Sequence, residues 1–113
     1  MKQGEIWKIG LDPAIGAEMQ KIRPSLIINT DALGKLPLKI IAPITDWKEH
    51  YDDYPWMVKI IPTELNGLIK ISAVDCFQIR SVSVDRLIIQ IGFVAPEIIV
   101  EVQDAIIKVI GAL

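Results

Sequence analysis

From Gly4 to Gly67 the chain never runs more than about a dozen residues without a break: Gly10, Pro13, Gly16, Pro24, Gly34, Pro37, Pro43, Pro55 and Pro62 all fall in that interval. Proline locks φ and removes a backbone donor, and glycine weakens any regular element it interrupts. A helix of ordinary length has no room there, whereas short strands do.

The segments between the breaks are strand-sized and apolar. Glu5–Leu11 alternates in part, Ile6 and Lys8 opposing Trp7, Ile9 and Leu11. Pro24 disfavours helix at Arg23 and opens the extended run Ser25–Asn29, whose consecutive apolar positions predict a strand buried on both sides. Leu38–Thr45 reads as a third strand, made irregular by Pro43, and Trp56–Ile61 as a fourth. Asn66–Gly67 predicts a turn between two such runs. Ser72–Val82 reads as the longest strand, with Val74, Cys76, Gln78 and Arg80 on one face and Ala73, Asp75, Phe77 and Ile79 on the other.

The C-terminal pattern is different. Pro96 stands at a first helical position with Glu97 in the first turn. Ile98, Ile99, Val102, Ala105, Ile106, Val109 and Ile110 then recur at three-to-four spacing, and Gly111 stands where such a helix stops. Short strands followed by one helix predict a β-dominated α+β fold: a small, twisted β-barrel with a C-terminal amphipathic helix packed on it, one domain over residues 1–113.

Composition narrows the function classes. With 51% hydrophobic residues the chain is no disordered segment, and no stretch of about 18 residues lacks charge, so no membrane span is expected. So apolar a chain of this length, with mean hydropathy +0.40, points to an interface between copies of itself. A lone Cys76 forms no internal disulfide, and Met1–Glu5 leads into a strand without an apolar signal region, so the expected compartment is the cytoplasm. The net charge of −2 speaks against binding nucleic acid through overall charge; any phosphate contact must be local.

Conventional catalytic signatures are absent from the sequence. His50 and Cys76 are single and far apart, so neither a Cys–His nucleophile nor a Ser–His–Asp triad is supported. Asp46, Glu49, Asp52 and Asp53 lack the spacing of a calcium loop and read as a solvated acidic loop, so no metal or other cofactor is expected. Arg23 is the residue of interest, because a guanidinium forks onto phosphate and this one precedes a proline-locked strand. The alternative is a surface Arg paired with Glu18.

Gly4–Glu5–Ile6–Trp7, Leu11–Asp12–Pro13, Gly16–Ala17–Glu18 and Lys21–Ile22–Arg23–Pro24 followed by Leu26–Asn29 together resemble the start of the MazF/PemK-like toxins of bacterial toxin–antitoxin systems. Ile41–Thr45, Asp75–Cys76–Phe77–Gln78–Ile79–Arg80–Ser81 and Asp85–Arg86–Leu87 are similar to later family motifs in the same order. The resemblance spans essentially the whole chain.

It implies an SH3-like β-barrel that forms a cytoplasmic homodimer, cleaves single-stranded RNA without a metal, as an mRNA interferase, and is silenced by a cognate antitoxin. It carries the catalytic arginine onto Arg23 and the threonine beside it onto Thr45. Such a pair suits attack of a ribose 2′-OH on the adjacent phosphate, since a guanidinium and a hydroxyl can stabilise charge that develops in the transition state. Glu18, Gln78 and Arg80 are implied as supporting residues, Glu18 by an ion pair to Arg23. Ala17 departs from the serine common there.

In that context Lys21 and the loop bearing Trp47, Lys48, His50, Tyr51 and Tyr54 are expected to hold RNA, because single strands are bound by stacking on aromatic faces with basic groups tracking phosphate. Each assignment has a plainer alternative. Thr45 would cap the following loop, Gln78 and Arg80 would support the fold, and the tyrosines would cover the barrel rim beside a core Trp56. Two other functions stay open: a same-fold toxin that inhibits a protein such as DNA gyrase, as CcdB does, and a non-catalytic SH3-like binding module.

Overall fold

The structure is a computed structural model that describes residues 1–112. Seven strands precede one helix: β1 (Glu5–Gly10), β2 (Ile22–Ile27), β3 (Leu38–Asp46), β4 (Met57–Ile60), β5 (Ser72–Asp75), β6 (Arg80–Ser83), β7 (Leu87–Phe93) and α1 (Pro96–Ile110). Every strand pair is antiparallel, in the order β4-β5-β3-β2-β1-β7, with β6 beside β3.

β3 organises this sheet. Along one edge its Leu38–Ile41 segment pairs with β6 and its Ile44–Asp46 segment with β5, while the other edge pairs with β2. Pro43 falls between the two ladders, after Ile41↔Arg80 and before Ile44↔Val74, where a missing N–H costs no bond on that edge. The sheet curls as expected but does not close, because β4 and β7 do not pair. The connection 61–71 fills the seam instead. The Phe93 N–H donates to the Leu65 carbonyl at 2.9 Å. A Cβ on Gly67 would lie 2.0 Å from the Ile91 carbonyl oxygen, so only glycine permits this approach.

One expectation is corrected here and another refined. Ser72–Val82 is not one strand: Asp75 Oδ1 accepts from the N–H groups of Phe77 (3.0 Å) and Gln78 (3.3 Å), turning the chain between β5 and β6. The alternation of faces therefore fails across the turn, and Ser72, Ala73, Val74 and Asp75 are all buried. The turn expected at Asn66–Gly67 does lie between two paired strands, but inside the 61–71 connection of β4 to β5 and not as a two-residue hairpin loop. Asn66 is buried there and its side chain bonds Thr63, Leu68 and Ile61 backbone groups, which sets the path across the seam.

Both sheet faces carry apolar side chains. Ile6, Leu26, Ala42 and Ile44 pack with Val58, Val74 and the helix residues Val102 and Ala105. Ile9, Leu11, Ile27, Ile41, Val82 and Leu87 form a second cluster on the opposite face. Full burial of each such side chain contributes about 1.5–3 kcal/mol. α1 begins at Pro96 as expected, and Gly111 caps it in the left-handed conformation. No helix among the described residues is long and apolar enough to cross a membrane.

Candidate active site

Residues directly opposite one another in neighbouring strands share a sheet face. The pairs Ile9↔Arg23, Trp7↔Ser25, Ser25↔Pro43, Ile27↔Ile41 and Ile41↔Arg80 therefore place Arg23, Ser25, Pro43 and Arg80 on the face of the second cluster. Thr45 follows Pro43 by two residues and Arg23 precedes Ser25 by two, so these two side chains continue the same face in phase across β2 and β3. Their nearness comes from register, between segments separated by the 28–37 connection.

Arg23 is half-buried, and its Nε is buried with no hydrogen-bond partner. Ser25 Oγ, next along that face, is likewise buried without one. An unsatisfied buried donor costs about 1–3 kcal/mol. The ion pairs among the described residues join the N-terminus to Glu5 and Lys70 to Asp46, so no carboxylate neutralises Arg23. Lys21, at the entry to β2, is the one non-glycine described residue with positive φ (67°). Its N–H donates to Asp12 Oδ1 at 3.0 Å and its carbonyl accepts from Leu11 N–H at 2.8 Å, so a braced loop end sets the start of the Arg23 strand.

Beside Arg80 a cavity of about 370 Å³ is lined by Leu11, Glu18, Met19, Pro43, Phe77 and Gln78, among others. Gln78 holds its wall together: its Oε1 accepts from Met19 N–H at 2.7 Å and its Nε2 donates to Asp75 Oδ2 at 3.1 Å. Burial raises the Asp75 pKa above the ordinary carboxylate value, against the lowering effect of the Phe77 and Gln78 hydrogen bonds. Burial, with Asp75 adjacent, pushes the Cys76 thiol up to about 12, so it is a core group and no nucleophile at neutral pH. Arg80 Nη1 donates to the Leu11 carbonyl at 3.2 Å, tying β6 to the end of β1.

An aromatic row approaches this cavity. Trp47 meets Tyr51 edge-on at 5.7 Å, His50 contacts both tyrosines, and Tyr54 stacks on Trp56 at 4.7 Å and 11°. Trp56 then meets Phe77 at 5.7 Å, and Phe77 lines the cavity. Lys59 Nζ stands 5.0 Å from the Trp47 ring centroid.

The structure thus brings Glu18, Gln78 and Arg80 to one cavity, puts Arg23 and Thr45 on the face that carries Arg80, and joins Trp47, His50, Tyr51 and Tyr54 in one row. Lys21 lies apart, in a cleft with Asp12, Asp85 and Arg86. Lys48 is exposed on the aromatic loop. The expected Glu18–Arg23 ion pair is not formed: Glu18 Oε1 accepts from Ile15 N–H at 2.8 Å, because the tight turn at Gly16 leaves that donor unpaired nearby. Thr45 does not cap the following turn, whose N-cap is Lys48. Asp46, Glu49, Asp52 and Asp53 do not converge, and no three His, Cys, Asp or Glu side chains among the described residues are placed to hold a metal ion. Phe77 is the residue that sequence reasoning missed, because assigning it to a strand face hid its position at a turn.

The class defined by these features is a small, incompletely closed β-barrel with an unpaired guanidinium on one sheet face. Residues 2–110 match the family model of PemK-like, MazF-like toxins of type II toxin–antitoxin systems, and the chain belongs to that family. It is 30% identical over 116 residues to the Mycobacterium tuberculosis protein named endoribonuclease MazF9, covering 94% of this chain and 92% of that one. The crystal structure of MazF from Deinococcus radiodurans superposes with a TM-score of 0.80 at 23% identity, over 98% of this chain and 96% of that one. A mycobacterial endoribonuclease in complex with its cognate antitoxin superposes with a TM-score of 0.79 at 18% identity, over 100% and 97% of the two chains. Both superpositions bear out the β-dominated fold with its terminal helix.

Proposed function

We propose that this protein is the toxin of a type II toxin–antitoxin pair and acts in the cytoplasm as an endoribonuclease on single-stranded RNA, with Arg23 and Thr45 as its catalytic residues. The observation that carries the site is the Arg23 guanidinium, whose buried Nε has no acceptor, and which no carboxylate pairs, among the described residues. A phosphate meeting the solvent-facing end of this half-buried side chain supplies the missing counter-charge.

The reaction is an internal transesterification. The ribose 2′-oxygen bonds to the adjacent phosphorus, the bond from phosphorus to the 5′-oxygen breaks, and the products are a 2′,3′-cyclic phosphate and a 5′-hydroxyl. One proton leaves the 2′-hydroxyl and one is delivered to the 5′-oxygen. Negative charge accumulates on the non-bridging oxygens between these events, and a cation aimed at them stabilises the transition state more than the substrate. Arg23 acts through its charge. The Thr45 hydroxyl donates to a non-bridging oxygen. Arg80, on the same face, adds positive potential where the overall charge of −2 adds none. Lys21, Lys48, His50 and the aromatic row hold the strand on either side of the scissile bond.

The named activity of MazF9 supports this reading, and the antitoxin complex of the mycobacterial neighbour supports a protein inhibitor as partner. Exposed Leu36, Leu38 and Ile40, with Ile88 and Ile89 on the terminal strand β7, supply apolar surface for a homodimer and for the antitoxin. The test is cleavage of a long single-stranded RNA by purified protein in EDTA. Wild type should generate fragments with 5′-hydroxyl ends and Arg23→Ala none; undiminished cutting by the variant sinks the assignment.

A further inference from the structure

We propose that Phe77 is a base-stacking platform, and that it is the specificity-determining residue of the cavity beside Arg80. This rests on the RNA-cleaving function proposed above. Phe77 is 63% exposed, so it is not held by the core. It is nevertheless fixed in place. Its N–H is bonded to Asp75, the following Gln78 is tied to both Asp75 and Met19, and Trp56 meets its ring at 5.7 Å. A flat apolar ring in water on a braced turn is preorganised for a flat partner, and ordering it on binding costs little conformational entropy.

The surroundings select the partner. Phe77 ends the aromatic row that begins at Trp47 and lines a cavity that also contains Arg80. A nucleotide whose base lies on Phe77 has its phosphate within the field of a guanidinium. The cavity, at about 370 Å³, is in the size range of small-ligand sites, about 300–1,000 Å³. Gln78 has both ends of its amide committed within the protein, so it holds the wall and Phe77 supplies the contact to the base. Stacking favours every base to some degree, so selection comes from which bases fit between Phe77, Met19 and the free edge of Glu18.

The experiment compares wild type with Phe77→Ala, Phe77→Leu and Phe77→Trp on a short RNA containing one site, chosen by sequencing fragment ends from the wild-type reaction. Loss of one base stack should raise KM about 10–100-fold in the Ala and Leu variants with kcat nearly unchanged, while Trp retains wild-type KM and shifts the preferred base. Leu keeps apolar bulk without a flat face, so it separates stacking from packing. A parallel arm measures binding of the same RNA made uncleavable by 2′-O-methylation and carrying 2-aminopurine near the site. Its fluorescence should be quenched by wild type and Trp only. Wild-type KM, unchanged quenching and an unaltered cleavage motif in Phe77→Ala overturn the proposal, as does an effect confined to antitoxin binding. An inactive wild-type protein refutes the cleavage function, and binding of an unselected single-stranded RNA carrying 2-aminopurine then decides Phe77 by itself.

Discussion

Replacing Gln78 by Glu tests the bracing of the cavity wall with a change of one heavy atom. The Nε2 that donates to Asp75 Oδ2 at 3.1 Å becomes an oxygen, while an oxygen that accepts from Met19 N–H remains. Two ionised carboxylates at that separation repel by about 5 kcal/mol at an effective dielectric of about 20. Protonation caps this cost. A Glu with an unfolded pKa of about 4.3 that must stay protonated at pH 7 loses about 1.36 kcal/mol per unit, or about 3.7 kcal/mol in all. The sign follows from linkage. Below the unfolded value the introduced carboxyl is protonated and donates as the amide does, and the variant matches wild type. As pH rises, that carboxyl resists ionising in the folded protein but not in the unfolded chain, and stability falls. Asp75 acts in the same direction in wild type, since burial raises its pKa and its contribution is lost with rising pH, so the comparison is made at each pH. Urea denaturation should therefore show a destabilisation of about 3–4 kcal/mol at pH 7 that shrinks below about 1 kcal/mol near pH 4. A loss equal at both pH values means that the side chain swings out and that the contact with Asp75 does not brace the wall.

Thr45→Val keeps shape and removes the hydroxyl; kcat for RNA cleavage should fall about 100-fold with little change in KM, the cost of one lost donor to the developing charge. Unchanged kcat with a lower melting temperature would instead make Thr45 a structural residue. Gly67→Ala forces a Cβ to 2.0 Å from the Ile91 carbonyl oxygen at a φ of +67°. A left-handed alanine costs about 1–2 kcal/mol, and displacing the connection endangers the Phe93–Leu65 hydrogen bond, worth about 0.5–1.5 kcal/mol. Equilibrium unfolding should register a total of about 1.5–3.5 kcal/mol; a neutral result would mean that the seam does not depend on this approach.

Elements whose signals are local were legible in the sequence. α1 starts at Pro96 and ends before Gly111 because a missing N–H is harmless at a helix start and a left-handed cap suits glycine. Motif resemblance drew attention to Arg23 and Thr45, and interleaved rings and lysines to the aromatic loop; their proposed roles await the cleavage assay. The break between β5 and β6 was not. Apolar alternation continues through residues 72–82, and what ends the strand is a carboxylate accepting two backbone N–H groups, a contact that periodicity does not encode. Glu18 was misread for a related reason: charge complementarity suggests Arg23, but an unpaired N–H three residues away lies closer.

The sequence by itself determined the class of fold, its terminal helix, the family and the identity of a guanidinium waiting on a strand, because these depend on residue type and spacing along the chain. Only the tertiary structure decided which groups share a face, that Arg23 has no counter-ion among the described residues, that Gln78 is spent on bracing, and that Phe77 stands in the open at the end of a row of rings. Those properties arise from register and from competition among donors and acceptors brought together across β1, β2, β3 and β6. Residues distant in sequence become neighbours only when the sheet curls.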